Sequence, residues 1–143
     1  IIESYQRYEQ IVGSGRYDDT VSRGLEFYAR ELFDENGAPN FDEKNAYPRD
    51  IHATAQGILV FTYAGRYDLA ERAIDWALAN MYVPDEWRFY FRKQRFYTKR
   101  VTLMRWCQAW MAYAISEYLA TRIAGEPTHG QGIDTLRAST ATP

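Results

Sequence analysis

Asp50, His52 and Gln56 are the polar residues whose types and spacing most clearly suggest chemistry. They lie in the stretch DIHATAQGILVFTYA, where His52 precedes Gln56 by one helical turn. An aspartate beside a histidine has the residue types of a general acid–base pair. The same positions also suit an N-cap aspartate followed by a partly buried, hydrogen-bonded histidine. The sequence leaves both interpretations open.

A second group of candidate site residues lies between positions 100 and 110. Arg100, Arg105 and Gln108 can donate to sugar hydroxyls, and an arginine can also bind a carboxylate bidentately. Ion pairs with acidic residues of a neighbouring element are an equal alternative. Trp106 and Trp110 are one helical turn apart and suit either a platform for a pyranose ring or an ordinary core stripe.

The elements that position these residues are indicated by an internal repeat. The tetrapeptide GRYD occurs at residues 15–18 and again at residues 65–68. The same offset pairs Ala29 with Ala79, Phe41 with Phe91, Tyr47 with Tyr97, Tyr63 with Tyr113, and Ala64 with Ala114. A fixed period of this length is typical of stacked supersecondary units. We therefore interpret GRYD as a structural joint between units and assign it no chemistry.

Each repeat unit predicts two helices of different character. The helix after GRYD is amphipathic, and Asp18 or Asp68 is placed to cap or charge-complement its N-terminus. The next helix, at 50–64 or 101–120, is apolar around most of its circumference, which indicates burial on several sides. These patterns predict an all-α fold of stacked antiparallel helical hairpins.

The repeat also predicts how the chain is divided. The units cover about 15–64 and 65–114, within a helical-hairpin region at 1–124 whose first twelve residues end an earlier buried helix. From Gly125 the periodicity and aromatic residues disappear, which predicts a disordered tail at 125–143. The loop PDEWRFYFRKQRFYTK alternates aromatic and basic residues and predicts a short β-hairpin or extended lip.

Composition excludes several classes of function. The net charge is −2 with acids and bases interleaved, so nucleic acid is not an expected partner. Cys107 is the single cysteine; it predicts a buried thiol and excludes an internal disulfide or a multi-cysteine metal site. We expect no metal and no cofactor. Neither a membrane-spanning stretch nor a secretory signal is recognisable, so we expect a cytoplasmic piece of a longer protein without membrane partners.

Two segments carry a resemblance to a known family. Tyr47-Pro48-Arg49-Asp50-Ile51-His52 and the run Arg105-Trp106-x-Gln108-Ala109-Trp110 resemble bacterial proteins associated with polysaccharide biosynthesis, in the six-hairpin (α/α) toroid superfamily. The resemblance covers about residues 15–120 and implies a partial (α/α) toroid. Some similar proteins carry the name δ-aminolevulinic acid dehydratase. That enzyme is a TIM barrel with a Schiff-base lysine, which this helical sequence does not predict.

The resemblance implies a site at the starts of the inner helices, since such toroids enclose a central cavity there. Family members with known activity include glycoside hydrolases and sugar epimerases. We therefore expect carbohydrate binding or processing in bacterial polysaccharide metabolism, with an oligosaccharide or sugar as ligand. The predicted catalytic residues are Asp50 and His52, and the predicted substrate-binding residues are Arg49, Gln56, Tyr97, Arg100, Arg105, Trp106 and Gln108.

Whether the chain is an enzyme stays open at this point. A glycosidase needs two carboxylates across the scissile bond, and the repeat places Arg92 and Lys93 where the first unit has Asp42 and Glu43. The alternative function is a non-enzymatic helical-repeat scaffold that binds a protein partner. Hairpin flanks exposed to solvent also predict a homo-oligomer.

Overall fold

The computed structural model describes residues 1–125. The disordered tail predicted at 125–143 lies outside this range except for its first residue. Five α-helices are found in the described chain: α1 (Ile2–Val12), α2 (Asp18–Glu31), α3 (Ile51–Tyr63), α4 (Tyr67–Asn80) and α5 (Trp110–Gly125). A six-residue π-helix, Met104–Ala109, leads directly into α5, and a 3₁₀ turn covers Pro84–Glu86.

Helix α3 is the centre of the fold. It is apolar around its circumference, and it packs against α1, α4 and α5. The side chains of Ile51, Ile58, Leu59 and Phe61 are almost completely buried. The sequence predicts burial on several sides for this helix and for 101–120; it is confirmed for α3, whereas Trp106 and Leu119 in the second segment are 53% and 50% exposed.

The helix after each GRYD is amphipathic, as the sequence predicts. Helix α4 buries Ala70, Ala73, Trp76 and Ala77, whereas α2 places only partly buried side chains against the core. Asp18 and Asp68 lie in the first turns of α2 and α4, but neither side chain makes a capping hydrogen bond. Their contribution is therefore the favourable interaction of a carboxylate with a helix N-terminus.

Gly65 shows why GRYD begins with glycine. It follows the C-terminal end of α3 and has φ of 69°, a left-handed conformation that glycine adopts without steric cost. In the first copy, Gly13 directly follows α1 as its C-cap with φ of 60°, and Gly15 lies further along the connection with φ of 65°.

Two small antiparallel sheets correct the all-α prediction. One has the strand order β1 (Arg49–Asp50), β4 (Arg92–Lys93), β5 (Thr98–Lys99); the other pairs β2 (Tyr82–Val83) with β3 (Arg88–Phe89). The protein is thus α-rich with a β component, and the prediction of an all-α partial (α/α) toroid of stacked hairpins is wrong. The physical reason is that the loops pair through their backbones, since residues 82–99 alternate aromatic and basic side chains suited to strands.

The β-hairpin predicted in the second loop is confirmed. Strands β4 and β5 pair with Arg92 opposite Lys99 and Lys93 opposite Thr98. The loop pattern did not indicate that this sheet has a third strand, β1, which comes from the loop before α3.

Helix α5 begins later than the sequence suggests. The predicted helix at 101–120 is α-helical from Trp110 onward, and the preceding Met104–Ala109 turn is a π-helix. Cys107 in this turn is buried, as predicted, and burial raises the pKa of its thiol. Within the described residues, no helix combines the length and apolar character needed to cross a membrane.

Several large apolar side chains remain exposed at the ends and flanks of the helices. Ile11 of α1 and Ile123 of α5 are 86% and 72% exposed, and Met104 is 74% exposed. They are compatible with self-association, which stays a prediction.

Gly57 provides a test of how closely α3 is packed. A Cβ atom at this position would overlap the ring of Phe33, so Gly57→Ala should lower the free energy of unfolding by about 1–3 kcal/mol. Gly24 of α2 is the matched control, because a Cβ there would meet Ile2 at an ordinary 3.6 Å. Gly24→Ala should raise stability by about 0.5–1 kcal/mol through better helix propensity. Urea unfolding measures both, and equal effects of the two substitutions would contradict the packing described.

Candidate functional site

The antiparallel pairing of β1 with β4 arranges four charged residues on two faces of one ladder. Arg49 lies opposite Lys93, and Asp50 lies opposite Arg92. Successive side chains of a strand point to opposite faces, so the two pairs occupy different sides of the sheet. One face therefore carries an acid and a base, and the other carries two cations.

Asp50 joins the ladder to the start of α3. Its Oδ1 accepts a hydrogen bond from the backbone N–H of His52 at 2.8 Å, which makes it the N-cap of the helix. Its Oδ2 accepts from Nε of Arg92 at 3.0 Å and from Nη2 at 2.7 Å. The N-cap interpretation of Asp50 is thus confirmed, and the carboxylate also holds Arg92 of the neighbouring strand.

His52 lies with its imidazole against two indoles. The ring centroid is 5.4 Å from that of Trp106 and 5.1 Å from that of Trp110, and both contacts are edge-on. Its Nε2 is buried and makes no hydrogen bond within residues 1–125. The Asp50 carboxylate contacts the backbone amide of His52, and no hydrogen bond in the described chain joins that carboxylate to the imidazole.

These residues form a pocket that we call the His52 pocket. Its volume is about 310 Å³, within the size range of small-molecule sites. The lining residues are Asp50, His52, Phe91, Arg92, Leu103 and Trp106. Trp106 is 53% exposed, so part of its indole face is available to a ligand. The pocket thus combines an aromatic surface with a hydrogen-bonded ion pair.

The other face of the ladder borders a second pocket, the Arg49 pocket, of about 290 Å³. Its lining residues are Asp34, Asn36, Tyr47, Arg49, Trp76, Asn80 and Lys93. Nη1 of Arg49 donates to Oδ2 of Asp34 at 2.7 Å, and its guanidinium lies over the rings of Tyr47 and Trp76. Nζ of Lys93 donates to Oδ1 of Asn80 at 2.7 Å. The two pockets share no lining residue.

The structure separates the remaining predicted site residues from both pockets. The side-chain amide of Gln108 donates to the carbonyl of Phe89 at 2.8 Å and accepts from its N–H at 2.9 Å, so it attaches β3 to the π-helix. Gln56 donates to Glu3 of α1 at 2.5 Å. Tyr97, Arg100 and Arg105 are exposed and line neither pocket.

Arg92 and Lys93 line the two pockets and were not predicted as site residues from the sequence. The repeat could have indicated them, because it places these two cations fifty residues after Asp42 and Glu43, in a loop predicted to be extended. Asp34, Asn80 and Trp76 gave no such signal. They reach the Arg49 pocket from the loop after α2 and from α4, through contacts distant in sequence.

A separate polar cluster lies at the opposite end of α3. The hydroxyls of Tyr63 and Tyr113, which are equivalent positions of the repeat, are 3.1 Å apart. Tyr63 donates to Glu117 at 2.9 Å, and Arg7 donates to both tyrosine hydroxyls. Burial, followed by the contact with Glu117, raises the pKa of Tyr63. The cluster joins α1, α3 and α5, and we interpret it as structural.

Comparison with known proteins gives no relative: no protein-family model, curated protein or solved structure matches the chain. The fold and the site describe an α-rich protein with one pocket on each side of a short β-ladder.

Asp50 supports a direct test of the site's architecture. Asp50→Ala removes both the N-cap acceptor and the partner of Arg92, so the free energy of unfolding should fall by about 2 kcal/mol. Asp50→Ser keeps a capping oxygen and should lose less than about 1 kcal/mol. Urea unfolding followed by far-UV circular dichroism measures both losses. Equal losses would show that the cap contributes little.

Proposed function

We propose that this chain is a carbohydrate-binding region of a cytoplasmic protein in bacterial polysaccharide metabolism, and that the sugar binds in the His52 pocket. The observation that carries the proposal is the half-exposed indole of Trp106 beside the Asp50–Arg92 ion pair in one pocket. The resemblance of residues 47–52 and 105–110 to polysaccharide-associated proteins supports the same class of ligand.

The chemistry of a pyranose suits this combination of groups. One face of the ring presents C–H groups that can stack on the indole of Trp106, and its edge presents hydroxyls that both donate and accept. Arg92 has five N–H donors, of which Asp50 takes two, so three can serve hydroxyl oxygens. The Asp50 carboxylate has about four acceptor positions and receives three hydrogen bonds, which leaves room for about one sugar hydroxyl.

The proposal concerns binding and does not extend to hydrolysis. Glycosidases generally place two carboxylates across the scissile bond. Among residues 1–125, Asp50 is the single carboxylate in the lining of the His52 pocket, and it is held by Arg92 and the start of α3.

The pocket favours this proposal over a protein-binding scaffold. A scaffold of that kind requires no sugar-sized cavity, and the cavity found here contains Asp50 and His52. Arg105 was expected with them and lies on the exposed surface instead. Binding of a polypeptide without any sugar affinity would favour the scaffold.

Trp106→Ala is the sharpest test of sugar binding. Removing the indole should weaken binding of a neutral oligosaccharide by at least about tenfold, or about 1.4 kcal/mol, measured by isothermal titration calorimetry. Trp87→Ala is the matched control, because Trp87 is 84% exposed and lies outside the His52 pocket. No detectable binding to the unmodified protein, or equal loss in both variants, would refute the proposal.

A further inference from the structure

The face of the ladder that carries Arg49 and Lys93 has an unbalanced positive charge. These two cations lie directly opposite each other across β1 and β4, and like charges at opposed positions destabilise a strand pair. On the other face the opposed residues are Asp50 and Arg92, which neutralise each other. The β1–β4 pairs are thus compensated on one side only, and the exposed Lys99 of β5 lies beyond Arg92 on that side.

Asp34 compensates one of the two cations. Its Oδ2 accepts from Nη1 of Arg49, and its Oδ1 accepts from the backbone N–H groups of Asn36 at 2.9 Å and Ala38 at 3.0 Å. It is the one carboxylate that the described part of the chain places in the lining of the Arg49 pocket. Lys93 makes no ion pair within residues 1–125. The lining therefore carries one net positive charge.

Hydrogen-bond donors also remain unused on the two cations that line this pocket. Nε of Arg49 is buried and has no partner in the described chain, and such a group costs free energy until it is satisfied. Lys93 has three N–H donors and uses one on Asn80, so two are left. The net positive charge of the lining and its unpaired N–H groups together favour a ligand with an anionic hydrogen-bond acceptor.

We propose that the Arg49 pocket is a second binding site, which takes the carboxylate of a small acidic ligand such as a uronic acid. Arginine recognises planar carboxylates through adjacent N–H groups, and the ammonium of Lys93 adds a charge-assisted hydrogen bond. A volume of about 290 Å³ suits a ligand of one sugar ring. This site is separate from the His52 pocket and does not depend on sugar binding there.

Calorimetric titration at low ionic strength with glucuronate, glucose and inorganic phosphate tests the site. Glucuronate should bind more tightly than either glucose or phosphate. Glucose lacks the negative charge, and phosphate lacks the planar carboxylate. Lys93→Met should weaken glucuronate binding by about tenfold, the cost of one charge-assisted hydrogen bond. Asn80→Asp should weaken it as well, since the new carboxylate would neutralise Lys93.

Lys99→Met is the matched control, because Lys99 is exposed and pairs with Arg92, which places it on the opposite face of the sheet. It should change the glucuronate affinity by less than about twofold, that is, less than about 0.4 kcal/mol. Trp106→Ala should leave glucuronate binding intact, so failure of the His52 pocket can be told apart from failure of this site. Equal binding of phosphate, an equal loss in Lys99→Met, or no glucuronate binding would overturn the proposal.

Discussion

The carboxylate of Asp50 connects the two parts of this protein, because it caps α3 and pairs with Arg92 of β4 at the same time. The contacts are modest in energy, about 1 kcal/mol for the cap and up to about 1 kcal/mol for the ion pair. Their structural effect is larger. Strands β1 and β4 are two residues long, and a shift of one residue would exchange the faces of Arg49 and Asp50. The geometry of Asp50 therefore holds the register that separates the two pockets.

That register gives each face of the ladder a different chemistry. The Asp50–Arg92 pair is neutral and lies beside aromatic side chains, which suits the hydroxyls and C–H groups of an uncharged sugar. The Arg49–Lys93 face carries a positive charge that Asp34 only half compensates, which suits a carboxylate. A chain with both sites would bind neutral and acidic sugar residues at separate places.

Local patterns in the sequence were enough to predict α3 and α4, and they included the N-cap at Asp50 and the hairpin of β4 with β5 among two interpretations each. They depend on helical period, capping chemistry and strand alternation within a few residues. The pairing of β1 with β4 joins residues over forty positions apart, and no local signal encodes it. The contacts of Gln108 are likewise distant in sequence: it was predicted as a substrate-binding residue, and its side-chain amide holds the backbone of Phe89. The segment Met104–Ala109 was predicted as part of an α-helix and is a π-helix, and of its residues Trp106 lines the His52 pocket.

The indole N–H signals of the four tryptophans provide the most direct measurement of the central claim, that sugar binds on the Asp50–Arg92 face of the ladder. Two-dimensional NMR during titration with a neutral oligosaccharide would follow Trp76, Trp87, Trp106 and Trp110 separately. We expect the largest shift at Trp106 and unchanged signals at Trp76, which lines the Arg49 pocket, and at Trp87. A largest shift at Trp76 or Trp87, or no shift at any indole, would contradict it.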